Sequence, residues 1–143
     1  MPQSFNKIWI HAIWGTKYRE PIIELGIEQK VHQFMSDQLR EHGCPVRIIN
    51  GMPDHVHCLF LQNPKKSIAE IIKQVKGSSS FYVNQNELIT GKFAWQKGYG
   101  AYSVSESGVE RVFQYIKNQK RHHQRKSFQE EFERFCHLHG ISP

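Results

Sequence analysis

Two hydrophobic rhythms alternate along the chain. Residues 7–16 are rich in β-branched and aromatic side chains, with Gly15 near the end, and predict a first strand. From residue 24 to 42 the apolar positions Leu25, Ile27, Val31, Phe34, Met35 and Leu39 recur at helical spacing, and Gly43 supplies a C-terminal stop. Residues 46–50 and 55–62 then read as two short strands joined by Gly51-Met52-Pro53-Asp54, whose Gly and Pro suit a hairpin.

Three Ser-x-x-Glu capping boxes mark helix starts: Ser67 with Glu70, Ser107 with Glu110, and Ser127 with Glu130. Each precedes a periodic apolar run, the first through Ile68, Ile71, Ile72 and Val75, the second through Val109, Val112, Phe113 and Ile116, the third through Phe128, Phe132 and Phe135. Between the first two, the second half of residues 98–104 suits a fourth strand. The order is βαββαβ followed by two helices. It predicts a single α+β domain over residues 1–143, a ferredoxin-like (RRM-like) antiparallel sheet with two helices on one face and additional C-terminal helices. The second sheet face then needs covering by a ligand, a partner or those extra helices.

The composition, 38% hydrophobic and 22% charged over 143 residues, excludes a disordered, collagenous or disulfide-scaffold chain. The net charge of +6 is unevenly placed: residues 111–126 hold six basic side chains and no acidic one, so the remainder is balanced. Nucleic-acid phosphate is the usual partner of such a stripe, ahead of an acidic protein or a membrane surface. The apolar run from Ile8 to Trp14 is short and interrupted by His11, too short for a membrane span and wrong for a signal peptide, so a cytoplasmic protein is expected. Cys44, Cys58 and Cys136 lack CxxC spacing and read as reduced core thiols. The tail Cys136-His137-Leu138-His139 has no second ligand cluster and reads better as a helix end than as a metal site.

Candidate chemistry concentrates at two places. His55-Val56-His57 opens the third strand, where i and i+2 share a face, so both imidazoles project together with Cα atoms about 6–7 Å apart. An isolated His-x-His is more often a pair of half-buried strand histidines, and Leu59 and Leu61 make part of that face core. Placement after a turn and beside Asp54, where a site can open to solvent, favours a metal pair. On the third helix, 100° per residue separates Val109, Val112, Phe113 and Ile116 from a stripe of Arg111, Tyr115, Asn118, Gln119 and His122 about 90–150° away. Tyr115 is therefore expected apart from the core, with Gln119 one turn on, facing the same spot. The plainer alternative is a half-buried tyrosine on an amphipathic helix.

Together these pieces describe a phosphoryl-transfer site. Two neutral imidazoles and the Gln119 oxygen would hold a divalent ion that polarises a phosphodiester oxygen, and Tyr115 would be the nucleophile. A phenol has an ordinary pKa of about 10, so the metal and nearby cations must assist it. Mixed nitrogen and oxygen ligands suit Mn²⁺ well and Mg²⁺ tolerably, with zinc also compatible.

Here the chain resembles the HUH single-tyrosine transposases of small bacterial insertion sequences, the IS200-like family. The resemblance spans nearly the whole chain: Lys17-Tyr18-Arg19, Pro53-Asp54-His55-Val56-His57, Val75-Lys76-Gly77, Trp95-Gln96 with Gly98-Tyr99, and the helix with Tyr115 and Gln119. It implies His55, His57 and Gln119 as metal ligands, Mg²⁺ or Mn²⁺ as cofactor, and Tyr115 as the nucleophile that cuts single-stranded DNA to leave a 5′-phosphotyrosine and a free 3′-hydroxyl during DNA transposition. It further implies hairpin-bearing element ends as substrate and a homodimer in which the tyrosine helix of one copy can complete the histidine site of the other.

Lys17, Arg19, Lys73, Lys76, Arg111, Lys120 and Arg121 are candidate DNA contacts, and Trp95, Tyr99 and Tyr102 candidate stacking platforms. Basic residues around several sides of one helix cannot all touch one strand, and some are expected to be solvated. Three rivals stand beside this reading: a non-catalytic module binding single-stranded nucleic acid, a metal hydrolase of small phosphoesters, and a host-retained relative acting on genomic repeats.

Overall fold

The computed structural model describes residues 2–121 and 128–141. Its principal elements are β1 (Trp9–Gly15), α1 (Leu25–Glu41), β2 (Val46–Met52), β3 (His55–Leu61), α2 (Ile68–Gln85), β4 (Gly100–Val104), α3 (Val109–Lys117) and α4 (Phe128–Leu138). The strands form one antiparallel sheet in the order β2-β3-β1-β4. This is the predicted βαββαβ arrangement with its C-terminal helical extension.

Local chemistry explains where the elements stop. After α1, Gly43 takes φ +77° and lets the Gly43 and Cys44 amides return to the Arg40 and Leu39 carbonyls at 3.0 and 2.9 Å, a Schellman cap. The β2–β3 turn is tighter than expected, because β2 continues to Met52 and leaves only Pro53 and Asp54 between the strands. Gly51 pairs with Val56, and a Cβ there would overlap the His55 carbonyl oxygen, so only glycine lets the two backbones approach. Of the three capping boxes, Ser67 behaves as predicted, its Oγ accepting from the Glu70 amide at 3.1 Å. Ser107 does not cap α3. The Gly108 amide already bonds the Ser105 carbonyl at 2.8 Å, which folds Glu106–Gly108 into a 3₁₀ turn and moves the N-cap to Gly108. Ser127 lies outside the described residues.

Alternation along the strands divides two cores. Ile10, Ala12 and Trp14 with Val56, Cys58 and Phe60 face α1 and α2, where Val31, Met35, Leu39, Ile71, Ile72 and Val75 are buried. Each large side chain so buried contributes roughly 1.5–3 kcal/mol. The opposite face carries Leu59 and is covered by Val109, Val112 and Ile116 of α3 and by Phe135 and Leu138 of α4. A bulge between Val46 and Ile48 keeps both faces consistent on the edge strand, turning Val46 to the first core and Ile48 to the second. The second face is thus closed by the chain's own C-terminal helices. Among the described residues no helix is long and apolar enough to cross a membrane.

Candidate active site

The β2–β3 hairpin places Asp54 in its turn and His55 and His57 on the sheet face beneath α3 and α4. The two imidazole centroids lie 5.2 Å apart with planes inclined by 77°. Asp54 holds two groups: Oδ1 lies 2.7 Å from His55 Nδ1, and Oδ2 lies 3.1 Å from Arg19 Nη2 and 3.2 Å from Nε. Partial burial pushes the carboxyl pKa up, but the His55 hydrogen bond and the charges of His55 and Arg19 outweigh it and hold Asp54 down to about 2. An ionised carboxylate only accepts, so the proton sits on His55 Nδ1. The other ring nitrogen, Nε2, lies 3.2 Å from Gln119 Oε1.

Gln119 reaches this position by an unpredicted route. The tyrosine helix ends at Lys117, and Asn118 breaks it with φ −96° and ψ 19°. Gln119 begins a new helical segment and is fully buried. Asn50, which lies opposite His57 in the β2–β3 register, forms the clamp. Its Nδ2 donates to the Ile116 and Lys117 carbonyls at 3.0 and 3.2 Å, and its Oδ1 accepts from Lys120 Nζ at 3.0 Å. Lys120 also bonds Glu28 Oε1 at 2.7 Å and the Gly51 carbonyl at 3.2 Å. The expected stripe on one continuous helix is corrected accordingly, and its member His122 lies outside the described residues.

Tyr115 requires a second correction. Expected apart from the core, it is 4% exposed within the cluster of Leu59, Val109, Val112 and Ile116. The wheel counted one packing partner for α3, whereas the helix has two, the sheet and α4, so its buried arc is wider. The Tyr115 ring lies 5.6 Å from His57, 6.2 Å from His11 and 6.4 Å from Phe135, centroid to centroid. The histidine pair, expected to open to solvent, is equally covered, with His57 1% exposed.

Two histidines given no role by sequence reasoning complete the cluster. His11, on β1, lies with Nε2 2.8 Å from His57 Nδ1 and Nδ1 2.6 Å from His139 Nε2. Burial, then the neighbouring His139, lowers the His11 pKa to about 3; burial, then Arg111, lowers that of His139 to about 4. Both rings are neutral near pH 7. A lone polar residue inside the apolar run 8–14 was the available signal for His11. His139 carried none beyond the tail motif, and Cys136 beside it is a buried free thiol.

Among the described residues no three His, Cys, Asp or Glu side chains converge as a metal site would, so an ion here needs another donor type. Gln119 supplies it. Adjacent ligands about 2.1 Å from an octahedral ion stand about 3 Å apart, which matches the separation of His55 Nε2 and Gln119 Oε1. The carboxylate behind His55 is the usual support of a ligating imidazole. The donor set therefore fits a divalent ion.

The basic residues divide. Lys17, Lys73, Arg111 and Arg121 are exposed. Arg19 is paired with Asp54, reaching it from a turn in which Tyr18 and Arg19 adopt φ +59° and +55°, a left-handed backbone costing about 1–2 kcal/mol per residue. Lys76 donates to the Gln96, Lys97 and Gly98 carbonyls at 2.7–3.1 Å, and Lys120 to the clamp. Of the aromatic candidates, Trp95 is buried with its Nε1 on Ser79 Oγ, Tyr102 stacks on His139, and Tyr99 is exposed.

A family model described as transposase, IS200-like, matches residues 4–119. The ISDra2 transposase TnpA of Deinococcus radiodurans is 29% identical over 114 residues, 76% of this chain and 81% of that one. A crystal structure of a transposase candidate from D. radiodurans R1 superposes with a TM-score of 0.66 at 27% identity, covering 81% of this chain and 93% of that one. The fold is also that of a REP-associated tyrosine transposase bound to a REP hairpin, with a TM-score of 0.61 at 13% identity over 85% of this chain and 72% of that one.

Proposed function

Because the chain belongs to the IS200-like transposases, we propose that it cuts and rejoins single-stranded DNA through Tyr115, with His55, His57 and Gln119 holding Mg²⁺ or Mn²⁺. The observation that carries this reading is the gathering of two strand imidazoles, a carboxamide oxygen and a phenol into one cluster from two separate stretches of chain. The bound ion would supply Lewis-acid polarisation of a non-bridging phosphate oxygen.

The remaining work falls to the protein's own groups. Tyr115 Oη attacks phosphorus and the P–O3′ bond breaks, leaving a 5′-phosphotyrosine and a 3′ oxygen that departs as the hydroxyl, taking up the proton the phenol gives up. Attack by a 3′-hydroxyl on the phosphotyrosine reverses the exchange, so each bond broken is replaced and no external energy source is required. Asp54 orients His55, and the Asn50–Lys120 clamp orients Gln119. Phe135 packs against the Tyr115 and His57 rings, so α4 must lift from the sheet for a phosphodiester to reach the phenol.

The DNA partner in this reading is a hairpin-bearing element end, supported by the hairpin in the REP-associated relative. The assembly in this reading is a homodimer, in which the tyrosine helix of one copy can complete the histidine site of the other. Incubation with labelled single-stranded element ends and Mn²⁺ should give a denaturation-resistant protein–DNA adduct. Tyr115→Phe should abolish the adduct while retaining DNA binding, and full cleavage by that variant would refute the assignment.

A further inference from the structure

His11 lies outside the ligand set, yet it is fully buried and in hydrogen-bond contact with His57 Nδ1. Its Nε2 lies 2.8 Å from that atom, and its Nδ1 lies 2.6 Å from His139 Nε2. The contact is built into the sheet. His11 stands opposite Leu59 across β1–β3, two pairs along from Ile13 and His57, so the two rings are diagonal neighbours on one face with centroids 5.1 Å apart.

A chain of three imidazoles joined by two N–H···N bonds, with one proton per ring, has two possible directions. In one, His57 Nδ1–H donates to His11 Nε2 and His11 Nδ1–H donates to His139 Nε2. His57 Nε2 then carries a lone pair. In the other, both protons run the opposite way and His57 Nε2 carries a hydrogen, which forbids ligation through that atom. A metal ligand needs the first direction.

We propose that His11 is a positioning residue for the metal ligand His57: its Nε2 accepts the hydrogen bond from His57 Nδ1–H and so fixes the tautomer whose Nε2 binds the ion. The role parallels that of Asp54 toward His55, with a neutral imidazole in place of a carboxylate. His139 Nε2 accepts the hydrogen bond from His11 Nδ1–H while α4 is docked, which ties the ligand's tautomer to the C-terminal helix.

This inference rests on the metal reading proposed above, and the experiment separates the two. In protein labelled with ¹⁵N-histidine, with and without Mg²⁺, the proton should reside on His57 Nδ1 and show scalar coupling across the hydrogen bond to His11 Nε2. A proton on His11 Nε2, or no coupling, overturns the proposal. By calorimetry, His11→Leu should weaken Mn²⁺ binding about 10- to 100-fold. His11→Gln, which keeps an acceptor, should stay within about threefold of wild type. Equal loss in both variants, or none in either, also overturns it. Wild-type protein that binds no Mn²⁺ refutes the metal reading instead, and the proton position in metal-free protein then decides the His11 bond alone. That measurement needs no variant to fold.

Discussion

Asn50→Ala isolates the clamp that sets Gln119 against His55. The substitution removes two neutral hydrogen bonds, from Nδ2 to the Ile116 and Lys117 carbonyls, and one charged bond from Lys120 Nζ. Neutral bonds contribute about 1 kcal/mol each, and charged ones about 1.5–3. Lys120 is about a third exposed and keeps Glu28 and the Gly51 carbonyl, so its lost bond counts at the low end or below, near 1 kcal/mol. Water can rehydrate the helix-end carbonyls and recover part of the rest. The expected loss is about 2–3 kcal/mol, read as the free energy of urea unfolding followed by circular dichroism. Asn50→Asp keeps an acceptor for Lys120 but turns a carboxylate toward two carbonyls at the negative end of α3, so it should rescue little. Mn²⁺ affinity should fall in both variants, because Gln119 sits one residue beyond the turn that Asn50 secures. A loss below about 0.5 kcal/mol in Asn50→Ala, or full recovery in Asn50→Asp, would refute the clamp.

Arg121→Met should lower the log–log salt slope of single-stranded DNA binding by about 0.7, the value of one phosphate contact, whereas Lys120→Met should leave the slope unchanged and reduce stability; equal slopes for the two variants would contradict the division of the basic residues. His32 is half-buried on α1, its Nε2 shut from solvent with no hydrogen-bond partner among the described residues, and desolvation, partly opposed by Glu28 and aided by Lys120, lowers its pKa to about 4. Since its unfolded value is about 6.5, the unfolded chain binds the extra proton between these limits, so the His32 contribution is complete above pH 6.5 and is lost as pH falls toward 4. In urea titrations from pH 7 to 5, His32→Leu should flatten the decline by about 1.4 kcal/mol per pH unit below 6.5, and an unaltered slope would show that His32 does not titrate there.

How much of this was legible in the sequence depended on the range of the interaction involved. The His55 and His57 pair is a two-residue repeat on a strand, and Ser67 with Glu70 is a three-residue motif, so both appear as patterns. The Ser107 box failed because a competing turn from Ser105 took the same backbone. Gln119 was found by its spacing from Tyr115, although the continuous helix assumed for that spacing ends at Lys117. Asn50, His11 and His139 left almost no trace, since each acts through partners tens of residues away: Asn50 on 116–120, and His11 on 57 and 139.

By itself the sequence determined the alternation of strands and helices, the caps of α1 and α2, the histidine pair and the basic segment, because periodicity, turn chemistry and charge are properties of neighbours along the chain. Only the tertiary structure decided that Tyr115 is buried, that Lys120 and Lys76 hold loops instead of standing in solvent, and that the sheet's second face is closed by α3 and α4. The physical reason is that burial and proton position depend on what packs across an element. The two sides of α3, one against the sheet and one against α4, are indistinguishable in a helical wheel drawn for a single partner.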